Sequence, residues 1–211
     1  MTQPPSHYFD DDPTVESSPQ EVDLVLPDGR MSLTTDRGVF GYGMVDPGTK
    51  LLLMDVPTPP QIGNLLDLGC GYGPIAVTMA RRAPGATVWA VDVNERARSL
   101  CASNAARHGL ANIVVASPDD VPPDVEFAVI WSNPPIRIGK EALHRMLLRW
   151  FSRLHGEAWL VVHRHLGSDS LQAWLQREGF GVERVSSSRG YRVLRASGAP
   201  SGPGRIDLDP A

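Results

Sequence analysis

Leu65 to Gly73, LLDLGCGYG, constrains the fold of this chain more than any other stretch. A short apolar run ends in an acid, and glycines then take alternate positions at 69, 71 and 73 before Pro74. This reads as a strand feeding a glycine turn and a helix. Glycine is needed where backbone takes positive φ or where a ligand lies against it with no Cβ between. A dinucleotide fingerprint, GxGxxG, would put its third glycine at residue 74, which is proline here. The spacing is instead DxGxGxG, from Asp67 to Gly73.

A second strand end carries chemistry. The run FAVIWS, Phe127 to Ser132, is followed at once by Asn133, Pro134, Pro135 and Ile136. Proline fixes its own φ and restricts the residue before it, so this tetrad holds its carbonyls in place. The two patterns resemble motifs I and IV of class I S-adenosylmethionine-dependent methyltransferases that modify an amino group conjugated to a planar π system. From Val22 to Arg195 the chain is similar to the methyltransferase small-domain family, whose best-known members are small-subunit ribosomal RNA guanine N2-methyltransferases. The resemblance rests on TDRGVF at 35 to 40, GTKLLL at 48 to 53, LLDLGCGYG, VDVNERA at 91 to 97 and SNPPI at 132 to 136. Longer family members carry an additional N-terminal domain that these 211 residues do not include, and Ile136 stands where an aromatic is usual. Base stacking must then come from elsewhere, with Phe40 and Tyr42 the candidates; a core role serves those two aromatics equally well.

Strands are expected near 64 to 68, 87 to 91, 113 to 116, 126 to 132, 157 to 163, 181 to 187 and 191 to 195, with helices near 74 to 82, 95 to 108, 141 to 154 and 168 to 178. Such alternation implies an α/β fold with a mostly parallel sheet covered on both faces. The short gap from Ser186 to Gly190 calls for one reversed terminal strand. The resemblance implies the class I methyltransferase, Rossmann-like fold, with seven strands ordered 3-2-1-4-5-7-6. Four segments are expected: an acidic, weakly ordered start (1–20), a hairpin and helix packed on the core (21–60), the S-adenosylmethionine-binding domain (61–196) and a flexible Gly/Pro/Ser-rich tail (197–211). In the second, Val22, Leu24 and Leu26 alternate, Pro27-Asp28-Gly29 supplies a turn, and Asp46-Pro47 opens a helix.

Composition excludes several classes. Two cysteines, Cys70 and Cys101, cannot build a disulfide framework and fit no zinc spacing. His163 and His165 lack a third ligand, so no metal site is expected. There is no apolar run of membrane length and no signal-peptide pattern at the start, so a cytoplasmic protein without a membrane partner is expected; the sequence leaves the oligomeric state open, with a monomer favoured. A net charge of −4 is not the footprint of a free nucleic-acid-binding domain. The charge is uneven, however. Seven acids stand against Arg30 alone in residues 1–30, whereas Arg137, Lys140, Arg145, Arg149 and Arg153 stand against Glu141 alone just after the tetrad. Arg145, Arg149 and Arg153 would share one helix face, either a phosphate-contacting strip or simply a solvated face.

In open α/β sheets a ligand lies beyond the strands' carboxyl ends at the topological switch point. The cofactor, S-adenosylmethionine, should therefore meet Asp67, Gly69, Cys70, Gly71 and Gly73, with Cys70 a small residue at close approach rather than a nucleophile. Asp92 and Val93 follow the second core strand, and an acid at 92 can accept both ribose hydroxyl hydrogens. After the third strand Ser117, Asp119 and Asp120 are alternatives for the adenine side, Asp119 preferred, and a surface turn explains them as well. Asn133 should touch both cofactor and substrate. Asn133 and Pro134 are the expected catalytic pair: the side-chain oxygen of one and the carbonyl of the other take the two hydrogens of the target amine and favour a tetrahedral nitrogen. Phe40, Pro135, Ile136, Arg137 and Arg149 are expected to hold the substrate, ribosomal RNA or a small-subunit particle. A protein glutamine N5-methyltransferase shares the tetrad but usually has Tyr after it. A non-catalytic module that binds S-adenosylmethionine or RNA is the third reading, disfavoured by intact Asp67, Asp92 and Asn133.

Overall fold

The computed structural model describes residues 15–198. The weak order expected of 1–20 and 197–211 lies, apart from residues 15–20 and 197–198, outside that range. Strands β1 (Gln20–Leu26) and β2 (Gly29–Thr35) pair antiparallel in a two-stranded sheet of their own. Their alternate residues Val22, Leu24, Leu26, Met31 and Leu33 are buried. A lone hairpin is marginal in water, so its stability comes from what it packs on. Asp28 in its turn meets Arg81 and Arg82, which hold the carboxyl well below the usual carboxylate range. Helix α1 (Pro47–Asp55) follows, with Asp46 accepting the Thr49 N–H at 2.9 Å as its N-cap.

The core alternates β3 (Asn64–Leu68), α2 (Pro74–Arg82), β4 (Thr87–Val91), α3 (Glu95–Arg107), β5 (Ile113–Ala116), β6 (Phe127–Ser132), α4 (Lys140–Phe151), β7 (Leu154–His163), α5 (Ser168–Arg177), β8 (Gly181–Ser188) and β9 (Tyr191–Ser197). The seven strands lie in the order β5-β4-β3-β6-β7-β9-β8, parallel except for β9, which runs against both its neighbours. This is the class I methyltransferase order. Side chains alternate across each strand: Leu65, Val129, Trp131 and Val161 face a core shared with the hairpin and α1 to α3, while Leu66, Ile130, Leu160 and Val162 face α4 and α5. The near-continuous apolar runs of the sequence follow from burial on both faces. The chain leaves β3 toward β4 and β5, then crosses back to β6, so a crevice forms where β3 and β6 end side by side.

Helix α4 stops at Phe151 and β7 begins at Leu154, earlier than the sequence suggested. The Arg153 carbonyl already accepts from Phe127 N at 2.8 Å, and its guanidinium turns back onto the Val125 and Pro122 carbonyls. Gly156 then lies so close to β6 that a Cβ would come within 2.0 Å of the Ala128 oxygen.

Asn104 of α3 clips hairpin to core. Its oxygen accepts from Thr34 N at 2.8 Å, and its nitrogen donates to the Thr34 and Tyr72 carbonyls at 2.9 and 2.8 Å. Asn104→Ala should cost about 2 kcal/mol in urea denaturation, because the buried Tyr72 carbonyl and the part-buried backbone groups of Thr34 lose their partner.

Candidate active site

The glycine loop is built on positive φ at Gly69, Gly71 and Gly73, of 76°, 54° and 94°. Gly69 and Cys70 donate to the Val91 carbonyl at 2.8 and 3.0 Å, which presses the loop against the end of β4. A Cβ at Gly69 would meet nothing nearer than Pro135 Cδ at 3.8 Å, and at Gly71 nothing nearer than the Phe40 oxygen at 4.0 Å. These two residues therefore show bare backbone to open space. Gly73 does something else: a Cβ there would stand 2.7 Å from Cys101 Sγ, so this glycine lets α2 pack on α3.

That open space is a cavity of about 1080 Å³ over the ends of β3, β4 and β6. It slightly exceeds the roughly 300–1,000 Å³ of most small-molecule clefts. Of the residues expected at the site, Phe40, Gly69, Gly71, Asp92, Val93, Ser117, Asp119, Asn133, Pro134, Pro135, Ile136, Arg137 and Arg149 all line it. Asp67, Cys70 and Gly73 do not, nor do Tyr42 and Asp120.

Asp67 lies behind the loop and not in the cavity wall. Alternation along β3 turns its side chain to the same face as Leu65, under the start of α2, where Oδ2 accepts from Ala76 N at 2.8 Å and Oδ1 has no partner. It fastens the loop from behind. Burial, with the Asp92 charge adding to it, pushes the carboxyl well above the ordinary aspartate value of 3.8. A carboxyl whose pKa is raised by folding penalises the fold once pH exceeds the unfolded value, and the penalty vanishes below it. Asp67→Asn, which keeps an acceptor for Ala76, should therefore be more stable than the parent near neutral pH and equal to it in acid. Urea melts at both pH values check this. Cys70 likewise lies behind the loop, buried beside Cys101, and both thiols are free.

Asp92 points the other way. Its Oδ2 accepts from Gly71 N at 2.8 Å and its Oδ1 from Asn94 N at 2.9 Å, and the residue lines the cavity. Burial raises its pKa, and the N–H groups of Asn94, Gly71 and Val93 with the Arg98 charge pull it part of the way back. Beyond β5, Ser117 donates to Asp120 at 2.6 Å, and Arg149 donates to the Pro118 carbonyl at 2.7 Å and to Asp119 at 2.9 Å. Arg149 thus ties α4 to the loop after β5 while staying half-exposed at the cavity, and Arg153 is bound to Val125 and Pro122. Of the three arginines expected to share a helix face, Arg149 and Arg153 have partners within the protein. Arg137 and Arg145 line the cavity with no ion pair or hydrogen bond among the described residues.

At the end of β6, Ser132 donates to the Leu68 carbonyl at 2.5 Å and ties the two central strands together. Asn133 Nδ2 donates to Asp46 Oδ1 at 2.9 Å and to Thr49 Oγ1 at 3.0 Å. The Pro134 carbonyl accepts from Ile136 N at 2.8 Å, with its second lone pair left over. Tyr191 donates to Asp46 Oδ2 at 3.2 Å and packs edge-on against His163. Asp46, Tyr191, His163 and His165 line the cavity, and sequence reasoning missed all four as site residues. The only signal was Asp46-Pro47 as a helix start. Tyr42 instead bonds Ser18 through its hydroxyl at 3.3 Å and lies under Arg37.

The family model for the methyltransferase small domain matches residues 30–195. The chain belongs to the methyltransferase small-domain family. It is accordingly an S-adenosylmethionine-dependent methyltransferase, and the bare glycine backbone beside a cavity-lining carboxylate suits a nucleoside cofactor. An uncharacterized Bacillus subtilis protein, YbxB, is 34% identical over 90% of this chain and 97% of its own length. A ribosomal RNA small subunit methyltransferase C from Ectopseudomonas mendocina is 33% identical over 87% of this chain and 56% of its own. In fold the chain is similar to a T. thermophilus 16S rRNA N2 guanine methyltransferase solved with AdoMet and guanosine, with a TM-score of 0.69 at 22% identity over 87% of this chain and 52% of that one. The chain spans about half the length of these ribosomal RNA methyltransferases. Among the described residues no helix is long and apolar enough to cross a membrane.

Proposed function

We propose that this small-domain methyltransferase acts in the cytoplasm on the exocyclic N2 amine of a guanine in small-subunit ribosomal RNA. The observation that carries this reading is that Asn133 and Pro134 open onto the same cavity as Asp92 and the bare backbone of Gly69 and Gly71. When bound, S-adenosylmethionine supplies a methyl group already activated by its sulfonium. Gly69 and Gly71 would lie against it, Asp92 would accept from its ribose hydroxyls, and Ser117 with Asp119 would border its adenine. The remaining task is to make a delocalised amine nucleophilic. Asn133 Oδ1 and the free lone pair of the Pro134 carbonyl take its two hydrogens, which holds the nitrogen lone pair out of conjugation. These acceptors are fixed in advance by proline stiffness, so they stabilise developing positive charge without reorganising. No titrating base is needed at that step.

The same tetrad would serve a glutamine amide. Arg137 and Arg145, cationic and unpaired at the cavity, favour a polyanion. Phe40, Tyr191 and His163 offer the aromatic faces that Ile136 does not. Arg145→Ala should raise the KM for RNA several-fold and flatten its salt dependence with kcat nearly unchanged, as initial rates across a salt series would show. Mass spectrometry of ribosomal RNA nucleosides from a deletion strain tests the function itself. Loss of one N2-methylguanosine supports it; unchanged nucleosides with a lost methylglutamine overturn it.

A further inference from the structure

An asparagine amide has two orientations related by a half-turn, and only its surroundings choose between them. For Asn133 the choice is forced. A carboxylate oxygen only accepts, so the atom 2.9 Å from Asp46 Oδ1 must be the nitrogen. The second Nδ2 hydrogen goes to Thr49 Oγ1 at 3.0 Å. Both donors of the amide are thus consumed on the α1 side, and Oδ1 has no donor among the described residues.

Asp46 is itself fixed. It accepts from Thr49 N at 2.9 Å as the cap of α1, and from the Tyr191 hydroxyl at 3.2 Å on its other oxygen. Burial and the Asp46 charge both raise the pKa of Tyr191, which keeps its hydroxyl protonated and donating. The Tyr191 ring rests on Gly48, where a Cβ would come within 2.5 Å of it. The segment Asp46-Pro47-Gly48-Thr49 therefore places a carboxylate and a hydroxyl side by side under the tetrad.

We infer that Asp46 and Thr49 are positioning residues that lock Asn133 with its oxygen toward the cavity, so that the site accepts only a nucleophile that donates hydrogen. The inference rests on the proposed N-methyl transfer and sharpens its substrate class. An exocyclic amine or amide presents two hydrogens to Asn133 Oδ1 and the Pro134 carbonyl. A ring nitrogen presents a lone pair to two oxygens and is repelled. With the amide flipped, the preference would invert.

The test combines a structural and a kinetic reading. In nitrogen-15 spectra of the free protein, one pair of side-chain amide protons, identified by its loss in Asn133→Ala, should be shifted downfield and slow to exchange. In Thr49→Val, which keeps the Asp46 cap, that pair should move toward the values of exposed asparagines. Single-turnover methyl transfer to small-subunit ribosomal RNA should fall ~10-fold in Thr49→Val and ~10²-fold in Asp46→Ala, with RNA KM and S-adenosylhomocysteine affinity within ~2-fold. Asp46→Asn, whose oxygen still accepts, should recover most of the rate, and thermal melts separate these effects from fraying of α1. Amide protons that exchange like exposed ones in the parent, or parent-like rates in both Thr49→Val and Asp46→Ala, overturn the inference. A parent-like rate in Asn133→Ala as well strikes instead at the transfer mechanism, so the two failures are distinguishable.

Discussion

Asn133→Ala should lower turnover by ~10²-fold or more while leaving affinity for S-adenosylhomocysteine within a few-fold. The reason lies in what the side chain does not do. Its nitrogen is committed to Asp46 and Thr49, away from the glycine loop, whereas its oxygen is left for the amine. An acceptor used mainly as charge develops on the substrate nitrogen contributes to kcat and little to ground-state binding. Single-turnover transfer to ribosomal RNA, set beside calorimetry with S-adenosylhomocysteine, measures both quantities. An alanine variant that transfers at the parent rate refutes the assignment. So does one whose loss lies wholly in cofactor affinity.

Asp92→Ala should act in the opposite way, weakening S-adenosylhomocysteine by about 1.5–3 kcal/mol, the scale for hydrogen bonds to a charged group. Asp92 combines two anchored oxygens with a place in the cavity wall. Its pKa in the free protein lies above the ordinary 3.8, because burial opposes the charge more than the Asn94, Gly71 and Val93 N–H groups and the Arg98 charge favour it. Ribose hydroxyls donate to the carboxylate and so bind the ionised form better. Affinity should then rise with pH through that raised pKa and level off above it. Titrations in a series of buffers would show the slope, and Asp92→Asn should flatten it. The asparagine variant also controls for the loop, since Asp92→Ala strips Gly71 and Asn94 of an acceptor. Affinity unchanged in both variants would remove Asp92 from the cofactor site.

Much of the framework was legible because parallel strands buried on both faces write continuous apolar runs between glycine and proline punctuation. NLLDL, TVWAV and FAVIWS stand where the strands stand. The end of α4 was not legible, since Trp150 to Leu154 suits a helix locally and only the ladder bond from Phe127 to Arg153 recruits it to β7. Asp67 shows a different limit. Its inward face follows from alternation along β3 from Leu65, whereas the glycine turn it precedes opens onto the cavity.

The sequence alone determined the strand-turn-helix units, the stiffness of the Asn133 tetrad and the bare glycine backbone, because these are properties of neighbouring residues and of φ. The tertiary structure decided where the polar side chains point. Arg149 found Asp119, Asn133 found Asp46, and Asp46 found Tyr191, across sequence separations of 30, 87 and 145 residues. An amide or guanidinium takes its orientation from whichever acceptor the fold brings within about 3 Å, and no local pattern encodes that partner.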